Sequence, residues 1–223
     1  MSQSVRAVER ALDILLCFTR EEPARSLTQI AESIHMSKTT VHRLLATLES
    51  KRFITMDKAT GLYRLGFRFI EMASLVLRDV GLERWALPYL QRLSAEYGET
   101  VDLSILDGSH VIYLEVIESP QRVKLAAAVG QRLPAFFTAS GKALLAYLPE
   151  EQVKQIISDN FAEASREMPA PLSEMAAALR VTADRGYAIS EQEYEEDINA
   201  VAAPIFGEDG QPVASIAIVG PSF

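Results

Sequence analysis

Apolar positions along the chain recur mostly with a helical period up to about residue 98, apart from one short hairpin, and beyond it runs with a period of two are punctuated by helical stretches. Between Val5 and Thr19, the spacing of Val8, Leu12, Leu15 and Leu16 predicts a helix that braces an N-terminal domain, with Arg6 and Arg10 on its other side as phosphate contacts. Ser26 is followed three residues on by Gln29, the pattern of reciprocal side-chain capping, and Leu27, Ile30, Ala31 and Ile34 then continue at helical spacing. His35-Met36 breaks that run. Ser37 caps a second helix over Lys38–Leu48, whose stripe Val41, Leu44, Leu45 and Leu48 must face a core, leaving Lys38, Thr39, His42 and Arg43 outward. After Phe53-Ile54, the stretch Thr55–Leu65 predicts two short strands around a turn that ends in Gly61.

Phe67–Leu77 is apolar on nearly every side, and such a helix needs cover on every side. In a linker the natural cover is the same helix of a second subunit, so residues 66–80 predict a dimerisation helix. Gly81 opens a further helix through Trp85, Tyr89, Leu90 and Leu93 that ends near Gly98. Val101, Leu103 and Ile105 then alternate with Asp102 and Ser104, Asp107-Gly108 turns the chain, and Val111–Ile117 returns as a strand. Val123–Val129, Val201–Phe206 and Val213–Val219 predict further strands, with helices at Gly141–Leu148, Glu150–Ser158 and Ser173–Arg185, the last closed by Gly186. The expected class is α+β, with a mostly antiparallel sheet in the second domain.

Charge separates the two parts. The whole chain carries a formal −8, which argues against nucleic acid as a partner, but residues 1–65 hold ten Lys/Arg against seven Asp/Glu (net +3) and the rest twelve against twenty-three (net −11). Only the first part is fit to approach phosphates. There, a capped helix pair with short polar groups and cations at the front of the second helix predicts a helix-turn-helix reading the major groove of double-stranded DNA. Ser37, Thr39 and Thr40 are placed for phosphates through hydroxyls and free N–H groups, and the hairpin reads as a wing with Lys58 and Arg64 on an adjacent backbone.

In the second part, Thr138-Ala139-Ser140-Gly141-Lys142 leads small residues into a helix start, which suits either an anion such as a carboxylate or a tight helix–sheet approach. A phosphate-binding loop is excluded, because no Ser/Thr follows Lys142 and no Gly lies five positions before Gly141. Three His and one Cys in no nucleophile–base or ligand spacing argue against an enzyme and against a metal or other cofactor, and the acidic run Glu191–Asp197 reads as a solvated face. Cys17 has no internal disulfide partner, and the sequence shows neither an export signal nor a long apolar span. A cytoplasmic protein without membrane contact is expected.

These stretches resemble the IclR family of bacterial transcriptional regulators. The resemblance rests on the helix-turn-helix and wing, Leu133-Pro134 with Thr138–Ala146, Arg185-Gly186-Tyr187 with Glu191–Glu196, and Val201–Phe206 leading to Gly220-Pro221. It implies a winged helix-turn-helix domain over 1–65, a linker helix over 66–80 and a GAF-like effector-binding domain over 81–223. It also implies homodimers or homotetramers on palindromic operators, repressing or activating in response to a small-molecule effector. A C-terminal helix usual in the family has no counterpart before Phe223. By the same alignment, members that bind small 2-oxo acids place Asp, Cys and two Ser where this chain has Ser190, Ala200, Ala217 and Val219, so one hydroxyl is kept. The backbone at Ala139 and Ser140, next to Thr138, is implied as a carboxylate site, with Leu125 and Leu133 as an apolar wall and Phe136 and Phe137 nearby. A pocket stripped of hydroxyls leaves the oxygens of a small oxo acid unpaired, so a larger aromatic or aliphatic carboxylic acid is expected. The competing reading is a sensor module without DNA binding, or an enzyme.

Overall fold

The computed structural model describes residues 5–125 and 127–223, with the side chains of residues 77–80 and 83 outside that description. The chain divides into two compact units, Met1–Gly81 and Leu82–Phe223.

The first unit runs α1 (Arg6–Leu16), β1 (Ala24–Arg25), α2 (Leu27–Ser33), α3 (Lys38–Ser50), β2 (Ile54–Met56), β3 (Tyr63–Leu65) and α4 (Arg68–Val80). Its core gathers Ile14, Ile30, Ala31, Val41, Leu45, Ile54 and Tyr63. The expected stripes of α2 and α3 supply most of this set. The brace supplied by α1 differs from expectation: Ile14 is the buried residue, Leu15 and Phe18 pack partly, and Val8, Leu12 and Leu16 are exposed. The helix carries two apolar faces and packs only one, so Val5, Val8, Leu12 and Leu16 form an uncovered stripe at spacings of three and four. The wing strands β2 and β3 pair antiparallel, and β1 adds to the other edge of β3 in the order β1-β3-β2. Two residues are too few to show a period, which is why β1 was not legible. Helix α4 leaves Phe67 before it and Ile70, Met72, Leu75 and Val76 along it exposed; Leu77, part of the expected linker run, lies outside the described side chains.

The second unit comprises α5 (Leu82–Tyr97), β4 (Thr100–Asp107), β5 (His110–Ile117), β6 (Arg132–Pro134), a 3-10 turn (Ala135–Phe137), α6 (Ala139–Leu145), α7 (Glu150–Glu163), α8 (Leu172–Arg185), β7 (Ala188–Glu191), β8 (Ile198–Phe206) and β9 (Pro212–Pro221). The six strands form one antiparallel sheet in the order β6-β5-β4-β9-β8-β7. Helix α5 packs against β4, β5 and β9, while α6 packs against β4, β7, β8 and β9. Gly186 ends α8 in the left-handed region (φ 80), as its position predicted.

Two expectations are corrected here. Val123–Val129 is not a strand among its described residues; Ala126 lies outside them. Its apolar residues divide instead between an irregular wall, where Ala127 and Ala128 are buried, and solvent, where Val123 and Val129 stand. The edge of β5 is taken three residues later, by β6, after Gly130 donates to the Tyr113 carbonyl at 2.7 Å. The alternation in β4 also does not separate a wet face from a dry one. Val101, Leu103, Asp102 and Ser104 are all buried, because both faces of this central strand are covered.

Candidate nucleic-acid interface and effector cavity

The helix pair of the first unit is shaped by its caps. Ser26 Oγ accepts from Gln29 N–H at 3.3 Å and Gln29 Oε1 accepts from Ser26 N–H at 2.8 Å, which closes the reciprocal cap at the start of α2. His35 adopts φ 52 and Met36 N–H donates to the Ala31 carbonyl at 2.9 Å, so the chain turns sharply out of α2. Ser37 then caps α3, accepting from Thr40 N–H at 3.4 Å, with the two hydroxyls 2.9 Å apart. Burial of Val41 and Leu45 orients the helix and leaves Lys38, Thr39, His42 and Arg43 exposed; Ser37 is exposed and Thr40 half-buried. Glu49 Oε1 accepts from Met56 N–H at 3.2 Å and so ties α3 to the wing.

The wing turn is closed by Asp57 N–H donating to the Leu62 carbonyl at 2.9 Å. The Asp57 carboxyl is held below the usual carboxylate range by the Ala59 N–H and then the Thr60 hydroxyl. Lys58 at this turn and Arg64 on β3 are exposed. Among the described residues, the ion pairs of this unit are Arg25–Glu22, Arg52–Glu71 and Arg68–Glu71, so Lys38, Arg43 and Lys58 stand outside any ion pair, while Arg64 forms none but lies close enough to Asp57 to act on its carboxyl. An array of unpaired cations and hydroxyls on one helix front and one hairpin is what phosphate and base-edge contacts require.

In the second unit, a cavity of about 560 Å³ of space not filled by atoms, its mouth included, lies between the sheet and the start of α6. Eight of the expected effector residues line it: Leu125, Leu133, Thr138, Ala139, Ser140, Ser190, Ala200 and Val219. Ala217 does not, since it is fully buried against Ala139, Ala143 and Ala202 beneath the cavity floor. Phe137 lines it, whereas Phe136 packs among Phe137 and Phe161.

The start of α6 is fixed from several sides. Thr138 Oγ1 accepts from Gly141 N–H at 3.0 Å and donates to the Ala135 carbonyl at 3.2 Å. Fully buried Asn160 on α7 accepts from Phe136 N–H and donates to the Ser109 carbonyl, both at 2.8 Å, holding the 3-10 turn against the body of the unit. Gly141 sits so close to this turn that a Cβ would fall 2.0 Å from the Ala135 carbonyl oxygen. The small residues therefore serve two ends: Gly141 is needed for the tight approach, while Ala139 and Ser140 face the cavity. Ser190, the one hydroxyl kept at the expected cluster, donates to the Phe137 carbonyl at 3.1 Å and so acts first as a tie between β7 and this turn.

Several lining residues were not anticipated, namely Asp102, Tyr113, Gln131, Tyr194, Glu195 and Ile198. Asp102 is 1% exposed, with Oδ1 accepting from Ser104 Oγ at 2.6 Å and Ser140 Oγ at 3.2 Å. Burial, partly offset by these two hydroxyls, pushes its carboxyl up to about 7. Burial likewise pushes the Tyr113 hydroxyl well up, with Asp102, Tyr194 and Glu195 adding to the effect, so it stays neutral. The signal for Asp102 was a lone acid inside an apolar strand, and period alone assigned it to solvent. The acidic run is corrected as well. It is solvated, yet it also bends over the cavity: Lys142 pairs with Glu193, and Arg166 donates to the carbonyls of Glu193 and Tyr194 while stacking 4.8 Å over Phe137.

Comparison with known proteins agrees with both halves. The family pattern described as "Bacterial transcriptional regulator IclR C-terminal" matches residues 74–223, and that described as "IclR helix-turn-helix domain" matches residues 7–58. The chain is 32% identical over 217 residues to the HTH-type transcriptional regulator XynR of Escherichia coli, covering 96% of this chain and 85% of that protein. It is 31% identical over 222 residues to KipR of Bacillus subtilis, covering 99% and 88%. Among solved structures, HmgR of Pseudomonas aeruginosa superposes with a TM-score of 0.79 at 27% identity, covering 97% of this chain and 90% of that one. The IclR of Thermotoga maritima superposes with a TM-score of 0.73 at 30% identity, covering 96% and 87%.

Proposed function

Because the chain belongs to the IclR family of bacterial transcriptional regulators, we propose that it represses a catabolic operon from a palindromic operator, as a homodimer or homotetramer, and that a small carboxylic acid in the second-unit cavity modulates this. That it is a DNA-binding regulator and not an enzyme follows from the family itself. The observation that carries the interface is the set of exposed, unpaired groups Lys38, Thr39, His42 and Arg43 on α3, with Lys58 and Arg64 on the wing. The partner is double-stranded DNA. A cytoplasmic location suits it, and no described helix is long and apolar enough to cross a membrane.

Binding of a palindromic promoter fragment, followed by fluorescence anisotropy across a salt series, tests this reading. Arg43→Ala removes a bidentate cation and weakens binding by about 1–3 kcal/mol, roughly tenfold to a hundredfold, whereas Lys38→Ala lowers the salt slope by about one. If neither variant differs from the parent, α3 does not enter the groove.

The effector reading rests on the cavity's walls. Leu125, Leu133, Phe137, Ile198 and Val219 present apolar surface, and Ala200 stands where a small oxo acid would need a polar partner, although the lining is not stripped of polar groups as expected, since Asp102, Tyr113, Gln131 and Tyr194 also reach it. An aromatic or aliphatic acid fits better than glyoxylate or pyruvate. Calorimetric titration should give weak or absent heats with glyoxylate, and tight glyoxylate binding would overturn this part.

Oligomer formation is supported by the uncovered stripes. Monomers rarely leave such contiguous apolar surface to water. The Val5–Leu16 stripe of α1 and the apolar residues of α4 are suited to cover their own copies in a second subunit.

A further inference from the structure

The cavity sets an electrostatic problem for an anionic effector. Its lining holds the carboxyl groups of Asp102 and Glu195 and, among the described residues, no Lys, Arg or His. The cations nearby are engaged elsewhere, Lys142 with Glu193 and Arg166 with two carbonyls. A carboxylate entering beside Ser140 would meet Asp102, whose Oδ1 lies 3.2 Å from the Ser140 hydroxyl. Two carboxylates in contact inside a poorly hydrated space repel strongly. One shared proton removes the conflict.

Oδ1 of Asp102 accepts from both Ser104 and Ser140, no donor to Oδ2 is found among the described residues, and Asp102 itself lines the cavity. We propose that Asp102 is the effector-recognising residue, acting as a neutral acid that donates from Oδ2 to the effector carboxylate, so that each acid anion is held with one proton. This rests on the acid-effector reading above. The other titratable groups of the lining are Tyr113 from β5, which burial keeps neutral so that it adds no pH dependence in this range, and Tyr194 and Glu195, which stand exposed. Among the described residues, the other packed elements bring no charged group to the lining: Ala139 and Ser140 from α6, Ser190 from β7, Ile198 and Ala200 from β8, and Val219 from β9.

The sign of the linkage is set by the elevated Asp102 carboxyl, about 7. Below that pH the neutral form predominates and the anion binds; above it the neutral fraction falls tenfold per pH unit, and affinity falls with it. The effector's own carboxyl, near 4, does not change charge in this window.

The test is calorimetry of the full chain with benzoate, phenylacetate and hexanoate, and with their primary amides, from about pH 6 to about pH 8.5. The dissociation constant of a bound acid should rise close to tenfold per unit above about pH 7. Asp102→Asn, which keeps a donor at the same place, should bind within about threefold of the parent's low-pH value and lose the slope. Glu195→Gln should keep it. An acid bound with flat affinity in the parent, or a slope that survives in Asp102→Asn, overturns the role of Asp102 while leaving the acid effector in place. Binding of amides in preference to acids, or no binding across the panel, overturns the acid effector and this inference together. Thermal melting at about pH 8 checks that Asp102→Asn folds; it should melt at or above the parent, because the elevated carboxyl makes parent stability fall as pH rises from about 4 towards 7.

Discussion

Gly141→Val should lower the melting transition of the second unit by about 6–12 °C, corresponding to roughly 3 kcal/mol or more for a domain of this size. The reason is local and steric. A Cβ on residue 141 would lie 2.0 Å from the Ala135 carbonyl oxygen and 2.5 Å from that residue's carbonyl carbon and Cα, so it meets backbone and not the yielding end of a side chain. The turn cannot retreat easily. Phe136 N–H is held by Asn160, Thr138 bonds the Ala135 carbonyl, and Ser190 bonds the Phe137 carbonyl. Any shift of the turn carries Phe137 and the Thr138–Ser140 rim of the cavity with it, so effector binding should be lost even in the fraction that stays folded. Differential scanning calorimetry and an effector titration measure the two consequences separately. An unchanged transition would mean that the turn moves freely and that the small residue at 141 has another cause.

Leu75→Glu should weaken operator binding by about a hundredfold or more, while leaving the stability of the monomer untouched. The side chain is 63% exposed within the chain, as is that of Val76, so a charge there displaces no intrachain packing. If α4 is covered by a second subunit, the same charge is buried without a partner, which disfavours association by several kcal/mol. Operator binding then loses the gain from engaging two half-sites through one assembly, a gain of about 10²–10⁴. Sedimentation would show the monomer, and anisotropy the weaker complex. A variant that still sediments with the parent places the contact elsewhere, on the α1 stripe Val5, Val8, Leu12 and Leu16.

The legibility of the chain followed the physics of each segment. The helix-turn-helix was readable because caps, stripe and break are local: Ser26 with Gln29, Ser37 with Thr40, and Val41 with Leu45 act within one or two turns. The apolar residues of α1 were readable as helical but not as to which face packs, since Ile14 and Leu16 differ only in what tertiary structure offers them. The cavity floor was partly readable. Leu133, Ser140 and Ala200 come together through strand pairings and a helix crossing that a resemblance can transfer residue by residue. Asp102 could not be placed that way, because period two predicts an outward residue on a half-covered strand, and β4 is buried on both faces, with helices α5 and α6 packed against it. The acidic run is solvated as expected, but its place over the cavity was not legible, for a related reason. Its residues are solvated one by one, and only the ties from Lys142 and Arg166 bring Tyr194 and Glu195 over the cavity.

In the regulation proposed above, the cavity of the second unit controls the DNA-binding face of the first. A palindromic promoter fragment is titrated with the full chain, with and without the panel acid that calorimetry shows to fill the cavity. Operator affinity should change by about tenfold, within the usual range of allosteric coupling. Equal affinity with the cavity empty and filled would mean that the cavity does not regulate DNA binding.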